Sequence, residues 1–205
     1  MKTEETSLTA FTDALASKEA TPGGGGACAL VGAVACALGS MVGNLTVGKK
    51  KYADAEPVMR ACLNRAETLR RELIACIDRD AEAFLPLSRA YAIPKDDPER
   101  EATMDRCLKA AAEPPLTMME LCGEVIELLE TFGEKGSRLA ISDAATGAAL
   151  CRGALYGARM NVRVNTRAMA DRSYAELIDD KADTLLKRYG ERADRLYELI
   201  AEKLN

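Results

Sequence analysis

Apolar residues recur along this chain at helical rather than strand spacing, and turn residues punctuate them. Leu8 to Ser17 reads as a short first helix. Lys18 to Gly26 reads as a loop whose glycines reach conformations closed to other residues. A second helix is predicted from about Ala27 to Gly48, inside the stretch TPGGGGACALVGAVACALGSMVGNLTVGKKKY that starts at Thr21. Gly32, Cys36, Ser40 (or Gly39) and Gly43 give it one face of small residues, which lets another backbone come close.

The pattern predicts a third helix from Ala53 or Pro57 to Tyr91, kinked or ended by Pro86. The segment IPKDDPER is a turn, and Pro98 suits the first position of a helix reaching Ala112. Pro114 and Pro115 then break the chain before a helix over Leu116–Phe132, with Gly133 to Gly136 as the next loop. A long helix over Ser142–Ala170 and two amphipathic pieces, Tyr174–Lys187 and Glu191–Leu204, finish the chain. The sum is an all-α fold, an orthogonal or up-down bundle of six to eight helices in one domain.

Composition supports this picture, since alanine is abundant and β-branched residues are sparse. A net charge of −4 argues against a nucleic-acid binder working through a broad basic surface. With 4% aromatics and no Trp, base-stacking platforms are not expected either. MKTEETSLTAF is acidic and polar, unlike a signal peptide. The uncharged stretch before the lysines is long enough to span a membrane but is mostly Ala and Gly, which insert weakly. A helix buried among other helices is the expectation, with no membrane.

The chain has seven cysteines and no histidine. Without histidine, Ser-His-Asp and Cys-His catalysis are excluded, so any acid or base is Asp, Glu, Lys, Tyr or Cys. No Cys-x-x-Cys occurs, and no metal site is expected from Cys and carboxylates at these spacings. The cysteines read as small core residues in a reducing cytoplasm.

Three constellations carry candidate chemistry. Leu73, Ile77, Asp80 and Phe84 recur at steps of four, three and four, so they share one helical stripe. Asp80 therefore points with core residues, whereas Arg71, Asp78 and Glu82 form a solvated face. Burial raises a carboxyl pKa towards values useful for proton transfer; the alternative is a buried Asp–Arg or Asp–amide pair joining two helices. Gly147, Cys151, Ala154, Ala158, Asn161 and Asn165 form a second stripe, small residues ending in two amides. It suits either the polar edge of a heterocycle or tight helix packing with satisfied amides. Asp143, near the start of that helix, is either a first-turn acid or a ligand contact. Third, Gly23, Gly24 and Gly25 lead into a helix N-terminus, a natural anion site, but no strand precedes them and no nucleotide motif is present. Lys49, Lys50 and Lys51 follow that helix, where lysines either neutralise the helix end or meet a carboxylate-rich ligand tail.

TPGGGGACAL, NLTVGKKKY, IDRDAEAF, the EPPL–ELC segment, KGSRLAISDAA and NVRVN occur in the order of a known family. Together they resemble the formimidoyltetrahydrofolate cyclodeaminase / methenyltetrahydrofolate cyclohydrolase family over nearly the whole chain, Leu8 to about Leu204. Gly26 stands where the family usually has serine, Ser137 where it often has asparagine, and Met160 where an aromatic often precedes NV. The resemblance implies one helical domain over residues 1–205, a cytoplasmic homodimer, and a tetrahydrofolate substrate, polyglutamylated, with no prosthetic group. It implies a catalytic aspartate at Asp80. On that substrate the further expectation is that Gly23, Gly24 and Gly25 let backbone amides approach the folate, that Asp143, Asn161 and Asn165 orient pterin or water, and that Lys49 or Lys50 meets the glutamate tail.

Two reactions fit that resemblance, both at the carbon bridging N5 and N10. The cyclohydrolase opens 5,10-methenyltetrahydrofolate with water to the 10-formyl compound. The cyclodeaminase closes 5-formimidoyltetrahydrofolate to the methenyl compound and releases ammonia. The cyclohydrolase is the favoured expectation, because no formiminotransferase accompanies the domain. A non-catalytic helical interaction module is the reading from another class. A single partly buried carboxylate supplies what either reaction needs, a proton shuttle and an anion beside a cation.

Overall fold

A computed structural model describes residues 3–204, the Glu4 side chain apart. Met1, Lys2 and Asn205 of the 1–205 domain expectation lie outside the described residues. Six α-helices account for most of the chain: α1 (Leu8–Leu15), α2 (Gly24–Asn44), α3 (Glu56–Ala90), α4 (Arg100–Lys135), α5 (Ile141–Thr166) and α6 (Arg172–Leu204). Short 3₁₀ turns cover Thr3–Glu5, Lys50–Ala55 and Arg138–Ala140, and there is no strand among the described residues. The all-α expectation of six to eight helices holds.

Helices α2 to α6 run alternately up and down. α2 packs on α3, α5 and α4. α6 lies outside, against α5 and α4. The small-residue stripe sets how closely α2 is approached. A Cβ on Gly32 would press on Cys122 and Leu73, and one on Gly43 would press on Phe132 and Leu63. Between them Gly39, not Ser40, is the buried member, against Leu129 and Phe132. The main core gathers Met59, Leu69, Leu73, Met118, Met119, Ile126, Leu129 and Phe132 around this helix. A second, smaller cluster (Leu87, Ala90, Leu108, Ala112, Met169) closes the end where α3 stops and α4 starts.

The boundaries differ from the sequence expectation wherever Gly or Pro was read as a breaker. α2 starts at Gly24, so Gly24 to Gly26 are its first turn rather than a preceding loop, and it ends at Asn44 rather than Gly48. Each glycine disfavours helix by about 1 kcal/mol, but a Cβ on Gly25 would overlap the Asp80 side chain, and one on Gly24 or Gly26 would be in tight contact. α3 runs straight through Pro86, and α4 is one helix of 36 residues that contains Pro114, Pro115 and Gly133. Proline removes the bond from its own nitrogen to the carbonyl four residues back. For Pro86 and Pro114 those carbonyls belong to Glu82 and Ala110, both exposed residues. For Pro115 the freed carbonyl is that of Ala111, and Asn165 Nδ2 donates to it at 3.0 Å. A tertiary hydrogen bond thus replaces the helical one.

α5 ends at Thr166, four residues before the predicted Ala170. α6 is unbroken where two amphipathic pieces were predicted. Its middle is clamped to α4: the Tyr189 ring lies over Gly123, whose hydrogen leaves the only room for it, and Arg192 pairs with Glu127 and Glu130. Its start is clamped to α5 by a network centred on buried Arg159, Asp179 and Thr166, with Arg163 and Asp183 at its exposed edge. Arg159 binds Asp179 and Asp183, Arg163 binds Asp179, and Thr166 Oγ1 donates to Asp179 at 2.9 Å. These bonds hold the back of α5, so its opposite edge, with Asn161 and Asn165, is fixed towards α2.

Candidate active site

The first turn of α2, the last third of α3, the proline segment of α4 and the end of α5 meet at one end of the bundle. Gly25 lies directly under Asp80; a Cβ there would overlap both carboxyl oxygens and Cγ. A Cβ on Gly24 would sit 3.2 Å from Asn161 Nδ2. A Cβ on Gly26 would sit 3.3 Å from Ile77 Cγ2 and 3.4 Å from Pro22 Cβ, a tight fit that glycine avoids. Gly23 has open space around it and serves as the N-cap, with no side chain to cap the helix.

The Asp80 carboxylate lies beside the Gly26 N–H, one of the amides that a helix start leaves without an internal partner, and that amide favours its charged form. Burial pushes the Asp80 carboxyl above the usual carboxylate range, and the Gly26 amide only partly offsets this. Neither arginine nor a side-chain amide pairs with it among the described residues. The paired-aspartate alternative is therefore not what the fold builds. Half-buried Asp80 instead faces a cavity of about 170 Å³. Phe84 of α3 and Val164 of α5 form its apolar walls, Thr21 and Gly23 its mouth, and Asn161, Asn165 and Ala111 its polar side.

Both amides are oriented by backbone. Asn161 Nδ2 donates to Gly157 O at 2.8 Å, and Asn165 Nδ2 donates to Asn161 O at 2.9 Å besides Ala111 O. With their amino groups held this way, the pair forms a rigid polar rim facing the carboxylate. Cys28 lies beside it, half-buried, where a Cβ on Gly157 would overlap its sulfur. Burial pushes the Cys28 thiol up to about 11, helped by Cys122 and Asp80, so it stays protonated at neutral pH. Ala111 and Cys28 escape a sequence reading; the Glu-Pro-Pro triplet is the signal that points to a freed carbonyl at Ala111.

The structure thus brings Gly23, Gly24, Gly25, Asp80, Asn161 and Asn165 together. It does not bring Lys49, Lys50 or Asp143 to them within one chain. The lysines follow the far end of α2, about 30 Å away at 1.5 Å per helical residue. There Lys49 Nζ lies 3.4 Å from Ser137 Oγ, and Ser137 N donates to Thr46 Oγ1 at 2.8 Å. Asp143 sits in the first turn of α5, at the opposite end of that helix from Asn161. No group of three or more Cys, Asp or Glu that could hold a metal occurs among the described residues.

A single half-buried carboxylate over a glycine helix start, faced by two oriented amides, marks an all-helical enzyme domain of acid–base chemistry. Comparison with known proteins places it further. The family model described as formiminotransferase-cyclodeaminase matches residues 7–184, and the chain belongs to that family. It is 42% identical to the methenyltetrahydrofolate cyclohydrolase of Methylorubrum extorquens, covering 95% of this chain and 96% of that protein. It is 31% identical to the formimidoyltransferase-cyclodeaminase of Gallus gallus over 82% of this chain, which spans 32% of that longer protein. The fold matches the crystal structure of formiminotetrahydrofolate cyclodeaminase from Thermotoga maritima with a TM-score of 0.85, at 30% identity, covering 97% of this chain and 98% of that one.

Proposed function

We propose that this protein hydrolyses 5,10-methenyltetrahydrofolate to 10-formyltetrahydrofolate. The observation that carries the reading is the Asp80 carboxylate, raised in pKa by burial and aimed into a cavity rimmed by Asn161 and Asn165. In the reaction, water adds to the cationic carbon between N5 and N10 while Asp80 takes its proton. The tetrahedral adduct then collapses: its hydroxyl loses its proton to solvent as the formyl C=O forms, the bond from carbon to N5 breaks, the protonated Asp80 returns its proton to N5, and the formyl group remains on N10. One proton is released per turnover. A carboxylate in a poorly solvated site also favours the approach of the cationic substrate. The chemistry draws on no prosthetic group.

Asn161 and Asn165 orient the pterin or the attacking water, and the amides of Gly24 and Gly25 form the floor beneath them. The enzyme works as a cytoplasmic homodimer on polyglutamylated folate, apart from membranes and nucleic acid. The likeness to a cyclodeaminase structure keeps a second reading in play, ring closure of 5-formimidoyltetrahydrofolate with loss of ammonia. One pair of assays separates them. Purified protein should abolish the methenyl absorbance of 5,10-methenyltetrahydrofolate faster than buffer alone. Ammonia release from 5-formimidoyltetrahydrofolate, with no effect on the methenyl compound, assigns the second reaction instead.

A further inference from the structure

The two amides of the cavity rim differ in what they have left to offer. Asn161 Nδ2 donates once, to Gly157 O at 2.8 Å, and keeps its second hydrogen free among the described residues. Asn165 Nδ2 donates twice, to Ala111 O at 3.0 Å and to Asn161 O at 2.9 Å, so both of its hydrogens are spent. Only its oxygen remains. The amide group is planar, and its nitrogen is turned to the backbones of α4 and α5. Oδ1 therefore points away from them, towards the cavity that Asn165 lines. Asn165 faces the site as an acceptor and not as a donor.

What holds it this way is a proline on another helix. The Ala111 carbonyl lies inside α4, where it would ordinarily accept from the N–H of residue 115. Residue 115 is proline and has no N–H. Ala111 and Pro115 are both buried, so the carbonyl needs a donor from elsewhere in the fold. Asn165 is that donor. The neighbouring Pro114 does nothing comparable, because the carbonyl it frees belongs to Ala110, an exposed residue outside the cavity lining. Of two adjacent prolines inside one helix, one is tied to the site and the other is not.

We propose that Pro115 is a positioning residue: by withholding an N–H from Ala111 it fixes the Asn165 amide with its oxygen towards the cavity, where that oxygen accepts one hydrogen of the attacking water while Asp80 takes the other. The proposal rests on the hydrolytic reading of the site. A water held by two acceptors turns a lone pair towards the cationic carbon between N5 and N10, the orientation that addition requires. The neutral amide takes no proton. The hydrogen it accepts stays on the water oxygen, becomes the hydroxyl hydrogen of the adduct and leaves to solvent as the formyl C=O forms. The other hydrogen goes to Asp80 and from there to N5. With alanine at 115, the restored backbone N–H competes with Asn165 for the Ala111 carbonyl. The amide is then free to turn over and present N–H groups to a cationic substrate, which they repel.

Pro115→Ala, with Pro114→Ala as its neighbour and control, decides the point. On 5,10-methenyltetrahydrofolate Pro115→Ala should lose about tenfold to a hundredfold in kcat with KM little changed, the cost of a misplaced reactant. Its melting temperature should not fall, because alanine restores the helical hydrogen bond. Activity lost without stability is what a merely structural proline would not show. Pro114→Ala should stay within about twofold of wild type, since the carbonyl it frees lies outside the site. In an Asn165→Ala background, Pro115→Ala should cost no further activity. Wild-type kcat in a folded Pro115→Ala protein, equal losses from the two prolines, or a full further loss in the Asn165→Ala background each overturns the proposal. The fixing of the amide is also read without substrate and without any variant, by NMR of the side-chain NH₂ groups in nitrogen-15-labelled wild-type protein. Both Asn165 hydrogens should exchange slowly with deuterium oxide and one Asn161 hydrogen quickly; fast exchange at Asn165 overturns the proposal even where Pro115→Ala fails to fold. Wild-type protein that leaves the methenyl compound untouched strikes the hydrolytic reading and the water's role with it, and the exchange of the Asn165 hydrogens in Pro115→Ala still decides whether the proline fixes the amide.

Discussion

The two ends of α2 carry charge in opposite ways. At its start, one carboxylate is enclosed by glycine backbone, two amides and a phenyl ring, and burial holds its pKa up. Just past its other end, charges stand in water. Glu56 pairs with Arg60 and accepts from Gly48 N, Lys51 lies over the Tyr52 ring at 5.6 Å, and Tyr52 OH accepts from Arg138 N. The Glu56 carboxyl is pulled down, first by Arg60. One end has an unneutralised group in a place where water is scarce; the other has neutralised groups where water is plentiful. The same helix therefore provides a reactive end and an inert one, and substitutions at the two should differ in kind.

The sharpest contrast comes from Asp80→Asn. Turnover should fall about 10²–10⁴-fold, the usual contribution of a general acid–base group, with the helical circular dichroism unchanged. Unchanged turnover would remove Asp80 from the mechanism. The same variant tests the electrostatics. A carboxyl whose folded pKa lies above its unfolded value loses stability as pH rises past the unfolded pKa. Asp80→Asn should therefore melt at the same or a higher temperature than wild type at neutral pH, and the gap should close on acidification below the unfolded carboxyl range. A variant less stable at pH 7 than at pH 3, relative to wild type, contradicts the burial of an ionised group.

Gly25→Ala is expected next in size. Its Cβ overlaps the carboxylate, and a displacement of order 1 Å costs about 10²-fold in rate. Gly23→Ala, two residues away in open space, is the matched control and should stay within about twofold, since no close neighbour is displaced. Equal losses from the two would mean that helix propensity, not the carboxylate, explains the glycines.

Asn165→Ala should lower stability by about 1–3 kcal/mol, because it leaves the Ala111 carbonyl without a donor beside a proline that cannot supply one. Chemical denaturation measures it, and Pro115→Ala in the same background should recover part of the loss by restoring the helical N–H. At the solvated end, Glu56→Ala should change stability by no more than about 0.5 kcal/mol, as for other exposed pairs four residues apart. A loss of several kcal/mol there would erase the distinction between the ends.

Much of this arrangement is legible in the chain. The three-four periodicity of Leu73, Ile77, Asp80 and Phe84 predicts a carboxylate on a core-facing stripe, and the structure has it there. The stripe from Gly147 to Asn165 likewise faces α2, with its small members buried. The errors share one cause. Gly24 to Gly26, Pro86, Pro114, Pro115 and the gap between the pieces ending at Lys187 and starting at Glu191 all read locally as breaks or kinks, and none of them breaks a helix. Local preference is worth about 1 kcal/mol for glycine and 3 for proline, and packing along helices of more than 30 residues exceeds it.

By itself the sequence determines the all-helical class, the absence of histidine chemistry, and the faces on which Asp80, Asn161 and Asn165 lie. Those are properties of composition and of periods within a single helix. Only the tertiary structure decides that Gly25 lies under Asp80, that Asn165 answers the carbonyl freed by Pro115, and that Lys49 and Lys50 stand at the far end. Each of these depends on which turn of one helix meets which turn of another. That register is set by side-chain packing between segments 50 to 140 residues apart in the chain, about which spacing along one helix carries no information.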